Sequence, residues 1–79
     1  MRQRTIYSED YKLLLGMLRA ARGDTPQATI AGRLRMTQSI FSKYERGELR
    51  MDVIQLRAWC KALQIDFLQF VTDFTKRTG

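Results

Sequence analysis

The sequence contains no histidine, only one cysteine (Cys60) and only one proline (Pro26). Without histidine there is no ligand set for a zinc finger or zinc ribbon, and a single thiol excludes an internal disulfide. The usual general bases and activated nucleophiles are missing, and no glycine-rich phosphate loop is present. The sequence therefore predicts no metal, no cofactor, no small-molecule ligand and no enzymatic activity, with Cys60 as a small core residue.

Long apolar segments are also missing. The longest apolar run, Leu13–Leu15, is far shorter than the roughly 18 residues that a transmembrane helix needs. Glu9, Asp10 and Lys12 stand where a signal peptide would have its apolar segment. We therefore expect a cytoplasmic protein with no membrane partner.

Positive charge is plentiful. Fourteen Lys and Arg against eight Asp and Glu give a net charge of +6 and a pI near 10.1. The excess is uneven, since residues 1–50 hold ten basic and five acidic side chains, a net of +5, and residues 51–79 hold four and three, a net of +1. This balance favours a polyanionic partner such as double-stranded DNA, although a generic basic surface would have the same composition.

The length of 79 residues corresponds to a single domain, residues 1–79, with a small core. Apolar residues recur at helical spacing and no strand pattern competes, which predicts an all-α, compact five-helix domain. The predicted helices span about residues 9–22, 26–34, 38–45, 53–63 and 67–76, after a basic N-terminal arm at residues 1–6. A partner subunit would help so small a core to reach a useful stability.

Local signals support these boundaries. Ser8, Thr37 and Asp52 are suited to cap helices, and Thr25 with Pro26 is typical of an N-cap followed by the first helical residue. The inward positions expected of the fourth helix are Val53, Leu56, either Trp59 or Cys60, and Leu63.

Residues 27–47 read as two short helices that meet across a tight turn. Such a pair needs apolar residues at fixed places on both helices and a small residue, here Ala31, where the backbones approach. The inward set is Ile30, Ala31, Leu34, Met36, Phe41 and Tyr44. The segment also contains the run Thr37-Gln38-Ser39-x-Phe41-Ser42-Lys43-Tyr44-Glu45-Arg46-Gly47, preceded by Gln27-x-x-Ile30-Ala31.

With these motifs the chain resembles the lambda repressor and Cro-like helix-turn-helix regulators, the XRE family. The resemblance covers about residues 11–72 and includes Leu15-x-x-Leu18-Arg19 and Leu56-x-x-x-Cys60-Lys61-Ala62-Leu63-x-Ile65. It implies a lambda-repressor-like fold and binding of DNA in the major groove. Two positions that are usually glycine in the family are Arg35 and Gln64, where the family geometry would require the left-handed backbone conformation at a cost of roughly 1 kcal/mol. At Arg35 the alternative is a turn that is built differently.

The resemblance also implies roles for individual residues. Base-reading positions are matched by Gln38, Ser39 and Lys43. Phosphate-contacting positions are matched by Gln27, Thr37 and Arg46. Arg19 and Glu45 match a structural charge pair between the first and third helices.

The chemistry of these side chains is compatible with such roles. Gln38 can pair bidentately with adenine, Lys43 can donate to guanine, and Ile40 can meet a thymine methyl group. Arg35 and Arg50 are further candidates for phosphate contacts. Simpler explanations remain open: the basic residues can form a solvated face, Gln38 and Ser39 can be part of a helix cap, and Ile40 can be a core or partner contact.

An aromatic stripe marks the predicted C-terminal helix. Its members recur at helical spacing: Phe67, Phe70, Val71 and Phe74. A domain of this size can hardly bury all of them together with Trp59, Ile54 and Leu68, so the stripe predicts a homodimer interface, with closure of a monomer's core as the alternative.

Two functions are compatible with the whole pattern. The first is a dimeric transcriptional regulator that binds a palindromic operator and represses or autoregulates. The second is an antitoxin or interaction module that binds a partner protein, such as a toxin, through its C-terminal face.

Overall fold

A computed structural model describes residues 8–79 as five α-helices joined by short loops. They are α1 (Glu9–Arg22), α2 (Gln27–Arg33), α3 (Gln38–Glu45), α4 (Val53–Ala62) and α5 (Phe67–Thr78). No β-strand occurs in this part of the chain, and the predicted all-α, five-helix architecture is confirmed. None of the helices in residues 8–79 has the length and apolar character to cross a bilayer. The arm predicted at residues 1–6 lies outside the described residues.

Side-chain caps define where most of the helices begin. At each capped start, a side-chain oxygen accepts a hydrogen bond from the backbone N–H three residues later, and the caps are Ser8, Thr37, Asp52 and Asp66. Helix α2 differs, because Pro26 takes the N-cap position with φ −60° and ψ 145°. The extended ψ delays the helix to Gln27, so the predicted cap at Thr25 is wrong.

The helix ends are set by backbone conformation. Arg35 (φ 58°) and Gln64 (φ 62°) adopt the left-handed conformation, which decides between the two alternatives for the turn at Arg35. Because these residues cannot continue a helix, α2 and α4 each end one residue before the predicted boundary. Helix α5 runs two residues beyond its predicted end, to Thr78, since no proline or glycine interrupts it before Gly79.

The core lies where all five helices converge. Its largest fully buried side chains are Trp59, Phe41, Leu18, Ile30 and Cys60. Trp59 and Cys60 therefore both point inward. Burial, assisted by the charge of Asp66, raises the pKa of the Cys60 thiol to about 11, which keeps it protonated at neutral pH. Val53 was expected inside but is 62% exposed, because it stands at the start of α4, beyond the side chains that cover the core.

Aromatic packing fixes α3 against α4. The rings of Phe41 and Trp59 stack with centroids 4.9 Å apart, and Tyr44 meets Trp59 edge-on at 5.3 Å. The Gln55 side-chain amide donates a hydrogen bond of 2.7 Å to the Tyr44 hydroxyl. These contacts use the inner face of α3 and leave its opposite face to solvent.

The aromatic stripe of α5 is divided between core and surface. Phe70 is only 6% exposed and belongs to the core, so its predicted place in an exposed interface is wrong. Phe67 and Phe74 are partly buried against that core. Val71 is at the surface and lines a groove of about 540 Å³ with both rings and with Val53.

Candidate nucleic-acid interface

One face of α3 is polar and basic from end to end. A turn of about 100° per residue brings five side chains to this side of the helix, and we call them the outer face of α3: Gln38, Ser39, Ser42, Lys43 and Arg46. Arg46 is the C-cap residue that follows the last helical turn. Gln38, Ser39 and Arg46 are exposed, and Ser42 and Lys43 are half-buried. The outer face thus presents amide, hydroxyl and cationic donors on one rigid element.

The first turn of α3 is anchored by its own cap. The Thr37 hydroxyl accepts a hydrogen bond of 3.1 Å from the backbone N–H of Ile40. This bond fixes the start of the helix at Gln38. The capping explanation therefore applies to Thr37, while Gln38 and Ser39 are the first helical residues and remain exposed.

A buried carboxylate connects the other side of α3 to α1. The Glu45 side chain is buried, with 6% exposure. Arg22 donates two parallel hydrogen bonds to its carboxylate, from Nε to Oε2 at 2.7 Å and from NH2 to Oε1 at 3.0 Å. The predicted partner was Arg19, which instead donates to the backbone oxygen of Glu45 at 3.1 Å. The correction has a geometric cause: Arg22 lies one turn further along the same face of α1, beside the Glu45 side chain.

The buried carboxylate also positions α2 and the first residue of α3. Gln27 donates from Nε2 to Glu45 Oε1 at 2.7 Å, and its own Oε1 accepts from Gln38 Nε2 at 3.4 Å. Hydrogen bonds thus run from α1, through Glu45 and Gln27, to a side chain on the outer face of α3. Because each partner is held by the next, Gln38 is oriented before any ligand arrives.

At the far end of the outer face, Arg46 is held by two neighbours. Its Nε donates to Glu48 Oε2 at 2.6 Å, and its NH1 donates to the Ser42 hydroxyl. The side chains of Arg46 and Glu48 are both about half exposed.

The turn between α2 and α3 is built around Arg35. The backbone N–H of Met36 donates to Ala31 O at 3.0 Å, and the N–H of Arg35 donates to Gly32 O at 3.1 Å. This pair of bonds is the Schellman ending of a helix, which places its left-handed residue at Arg35. The turn therefore has the usual helix-turn-helix geometry, with arginine where glycine would be less strained.

Comparison with known proteins agrees with this geometry. No protein-family model and no curated protein sequence matches the chain. A solved structure described as an XRE-family like protein from Pseudomonas syringae pv. tomato str. DC3000 is similar to it, with 32% sequence identity and a TM-score of 0.83. The alignment covers 89% of this chain and 88% of that one. The chain belongs to the XRE family.

Membership of the XRE family agrees with the predicted fold, and the structure shows which predicted site residues lie together. Gln38, Ser39 and Lys43 share the outer face of α3 with Arg46, and Thr37 caps the same helix. Ile40 is exposed but points to the neighbouring side of α3, the side of Tyr44.

Two predicted phosphate ligands lie elsewhere. Arg50 packs over the ring of Tyr11, with its guanidinium carbon 4.5 Å from the ring centroid. Arg35 lines a shallow groove between α2 and α4 together with Arg33 and Lys61. Neither residue is on the outer face of α3.

Three residues in the XRE-type motif region were not singled out from the sequence. Ser42 could have been found from helical spacing, because it is four residues from both Gln38 and Arg46. Arg22 could have been considered with Arg19, since both lie on the same side of α1. Glu48 gave no signal, because its role depends on how the loop after Gly47 folds back.

Proposed function

We propose that this chain is a sequence-specific double-stranded DNA-binding regulator that places α3 in the major groove. The observation that supports this most directly is the outer face of α3, where polar and basic groups stand exposed on a helix whose opposite face is packed on Trp59. An α-helix fits the major groove of B-DNA, and this groove distinguishes all four base pairs. Family membership supports DNA binding at the coarser level.

In this proposal four side chains read bases, three of them through hydrogen bonds. Gln38 uses one amide hydrogen for Gln27 and keeps the other, together with its carbonyl oxygen, for the two-bond pairing with adenine. Ser39 can donate or accept, and Lys43 can donate to guanine. Ile40, on the adjoining side of α3, is placed in the proposal as a contact to a thymine methyl group at the edge of the groove.

Other residues hold the duplex without reading its sequence. Thr37 and Arg46 flank the base-reading residues at the two ends of α3 and are the proposed phosphate contacts there. Gln27 contributes by orienting Gln38 and stands at the start of α2. Arg35 and Arg50, which lie away from the outer face of α3, are proposed as more distant phosphate contacts, in keeping with the net charge of +6.

We further propose that the protein acts as a homodimer on a palindromic operator and represses or autoregulates transcription in the cytoplasm. Leu68, Val71 and Val53 leave apolar surface on α5 and at the start of α4, which a second copy can cover. A two-fold dimer would place its two α3 helices about 34 Å apart, in successive major grooves.

Lys43→Ala tests the base-reading assignment. A duplex selected by the wild-type protein from a random library is compared with its scrambled version by fluorescence anisotropy. We expect Lys43→Ala to lose about 1–3 kcal/mol of discrimination at one base position.

Lys61→Ala is the matched control, because it removes the same charge from the exposed side of α4. It is expected to weaken both duplexes equally. A wild-type protein that binds selected and scrambled duplexes alike would contradict sequence-specific recognition. If the protein is mainly a module that binds a partner such as a toxin through α5, the Lys43→Ala variant should bind that partner as tightly as the wild type does.

A further inference from the structure

Glu48 places a carboxylate beside the cations of the proposed DNA-binding surface. Residues 37–50 contain two carboxylates, and the first, Glu45, is buried against Arg22. Glu48 is the second, and it is exposed in the loop that follows α3.

Backbone hydrogen bonds hold Glu48 in this place. The left-handed conformation of Gly47 (φ 82°) turns the chain back, and the N–H of Glu48 donates to Lys43 O at 2.9 Å. The side chain of Glu48 then reaches Arg46 at 2.6 Å. The backbone conformation at the end of α3 therefore sets the position of the Glu48 carboxylate.

The local charges keep Glu48 ionised. The hydrogen bond from Arg46 lowers the pKa of Glu48, more than partial desolvation raises it, and the charges of Arg46 and Lys43 lower it further. The same hydrogen bond raises the pKa of Arg46. At neutral pH the guanidinium thus faces a full negative charge at the distance that a phosphate oxygen would take.

We propose that Glu48 competes with DNA phosphate for Arg46 and so limits the affinity of this protein for any duplex. The inference rests on the proposed DNA-binding function. Arg46 donates from Nε to Glu48 and from NH1 to Ser42, so a phosphate that binds with two bonds through the edge formed by Nε and NH2 must displace Glu48 from Nε. Each phosphate that a protein neutralises releases counterions and adds to the salt dependence of binding, and Glu48 removes one such contribution.

The consequence concerns selectivity within a genome. Phosphate contacts bind every sequence, whereas base contacts bind the correct one. A carboxylate that weakens one phosphate contact leaves the base-reading residues with a larger share of the total binding free energy. This shortens the time that the protein spends on the many non-specific sites that compete with an operator.

Glu48→Gln tests the proposal on random-sequence duplex DNA, so no operator has to be known. Binding is followed by fluorescence anisotropy at several KCl concentrations. We expect tighter binding than wild type and a log–log salt slope steeper by about 0.9, so that the gain is about threefold larger at about 50 mM than at about 200 mM salt.

Two variants separate competition for Arg46 from a general charge effect. Glu9→Gln removes the same charge from an exposed carboxylate on α1 that pairs with Lys12 at 3.4 Å, and it should leave the salt slope unchanged. In an Arg46→Ala background, Glu48→Gln should give no gain in slope.

Several results would overturn the proposal. They are unchanged or weaker binding of Glu48→Gln, an equal gain in Glu9→Gln, or a gain that persists without Arg46. Weaker binding would mean that Glu48 orients Arg46 and does not compete with phosphate. A wild-type protein that fails to bind the duplex even at low salt would instead refute the proposed function itself.

Discussion

At the scale of single residues, Glu45 is the one charged side chain that is buried within residues 8–79. A carboxylate removed from water needs nearly all of its acceptor sites filled, and here Arg22 and Gln27 fill them. The three residues come from α1, α2 and α3, so the ionic contact also fixes how these helices meet. A change in the hydrogen bonds of Glu45 is therefore expected to shift the outer face of α3 as well.

Arg22→Ala should destabilise the fold strongly, by about 3–5 kcal/mol, because it leaves the Glu45 carboxylate buried without its counterion. Urea denaturation followed by circular dichroism measures the loss. Since small domains have about 5–15 kcal/mol of total stability, a large fraction would disappear.

Arg19→Ala is the matched control for Arg22→Ala. Arg19 donates to the backbone oxygen of Glu45 and not to its carboxylate, so its removal should cost clearly less. Equal losses in the two variants would contradict the assignment of Arg22 as the partner of the carboxylate.

At the scale of secondary-structure elements, three consecutive helices end in the same way. In α2, α3 and α4 the residue after the C-cap is left-handed, and two reverse hydrogen bonds close the helix. The left-handed residue is Arg35, Gly47 and Gln64 in turn. Only the middle helix, which is the proposed recognition helix, has glycine at this position.

Arg35→Gly should raise the free energy of unfolding by about 0.5–1 kcal/mol. The left-handed conformation costs a residue with a β-carbon about 1–2 kcal/mol, and part of this gain is lost because glycine is more flexible when unfolded. Gln64→Gly should behave alike, and the two effects should add because different helix ends are involved.

Gly47→Ala provides the opposite control. Its φ is 82°, and an added β-carbon would lie 3.4 Å from the Leu15 side chain, so a loss of about 1 kcal/mol is expected. Urea midpoints that do not move in Arg35→Gly would show that the turn does not strain the arginine.

At the scale of the whole molecule, the two proposed binding surfaces lie on different helices. The cations on the outer face of α3 serve the proposed contact with DNA, and the exposed Leu68, Val71 and Val53 lie on α5 and at the start of α4. The proposed dimer contact and the proposed DNA contact therefore use different surfaces of the protein.

Leu68→Glu should convert the proposed dimer into a monomer, because it would put a charge into an apolar interface. Sedimentation equilibrium measures the mass. Ile54→Glu is the control, since Ile54 is similarly exposed (67% against 73%) but lies on the outward side of α4 with Arg57 and Lys61. A monomeric wild type, or dissociation in both variants, would contradict the proposed interface.

Helical spacing predicted the five helices to within two residues. The family resemblance supplied Gln38, Ser39, Lys43 and Arg46, which the structure places on one face of α3, while their roles stay predictions. The resemblance gave Arg19 as the partner of Glu45, and spacing alone would not have corrected it to Arg22, because both residues point the same way and only the distance to Glu45 separates them. Helical spacing also misassigned Val53 and Phe70. Periodicity shows which side of a helix is apolar. Whether a residue on that side is buried depends on the neighbouring helices that pack against it.

Because Phe41 stacks on Trp59, tryptophan fluorescence can be used to follow α3, the proposed recognition helix. Trp59 is the chain's only tryptophan, and it is buried directly beneath α3. Its intrinsic fluorescence therefore reports whether α3 is seated on the core, without an added label. A variant that loses DNA affinity but keeps the native emission spectrum has lost a contact, whereas a red-shifted spectrum indicates that the helix itself has come away.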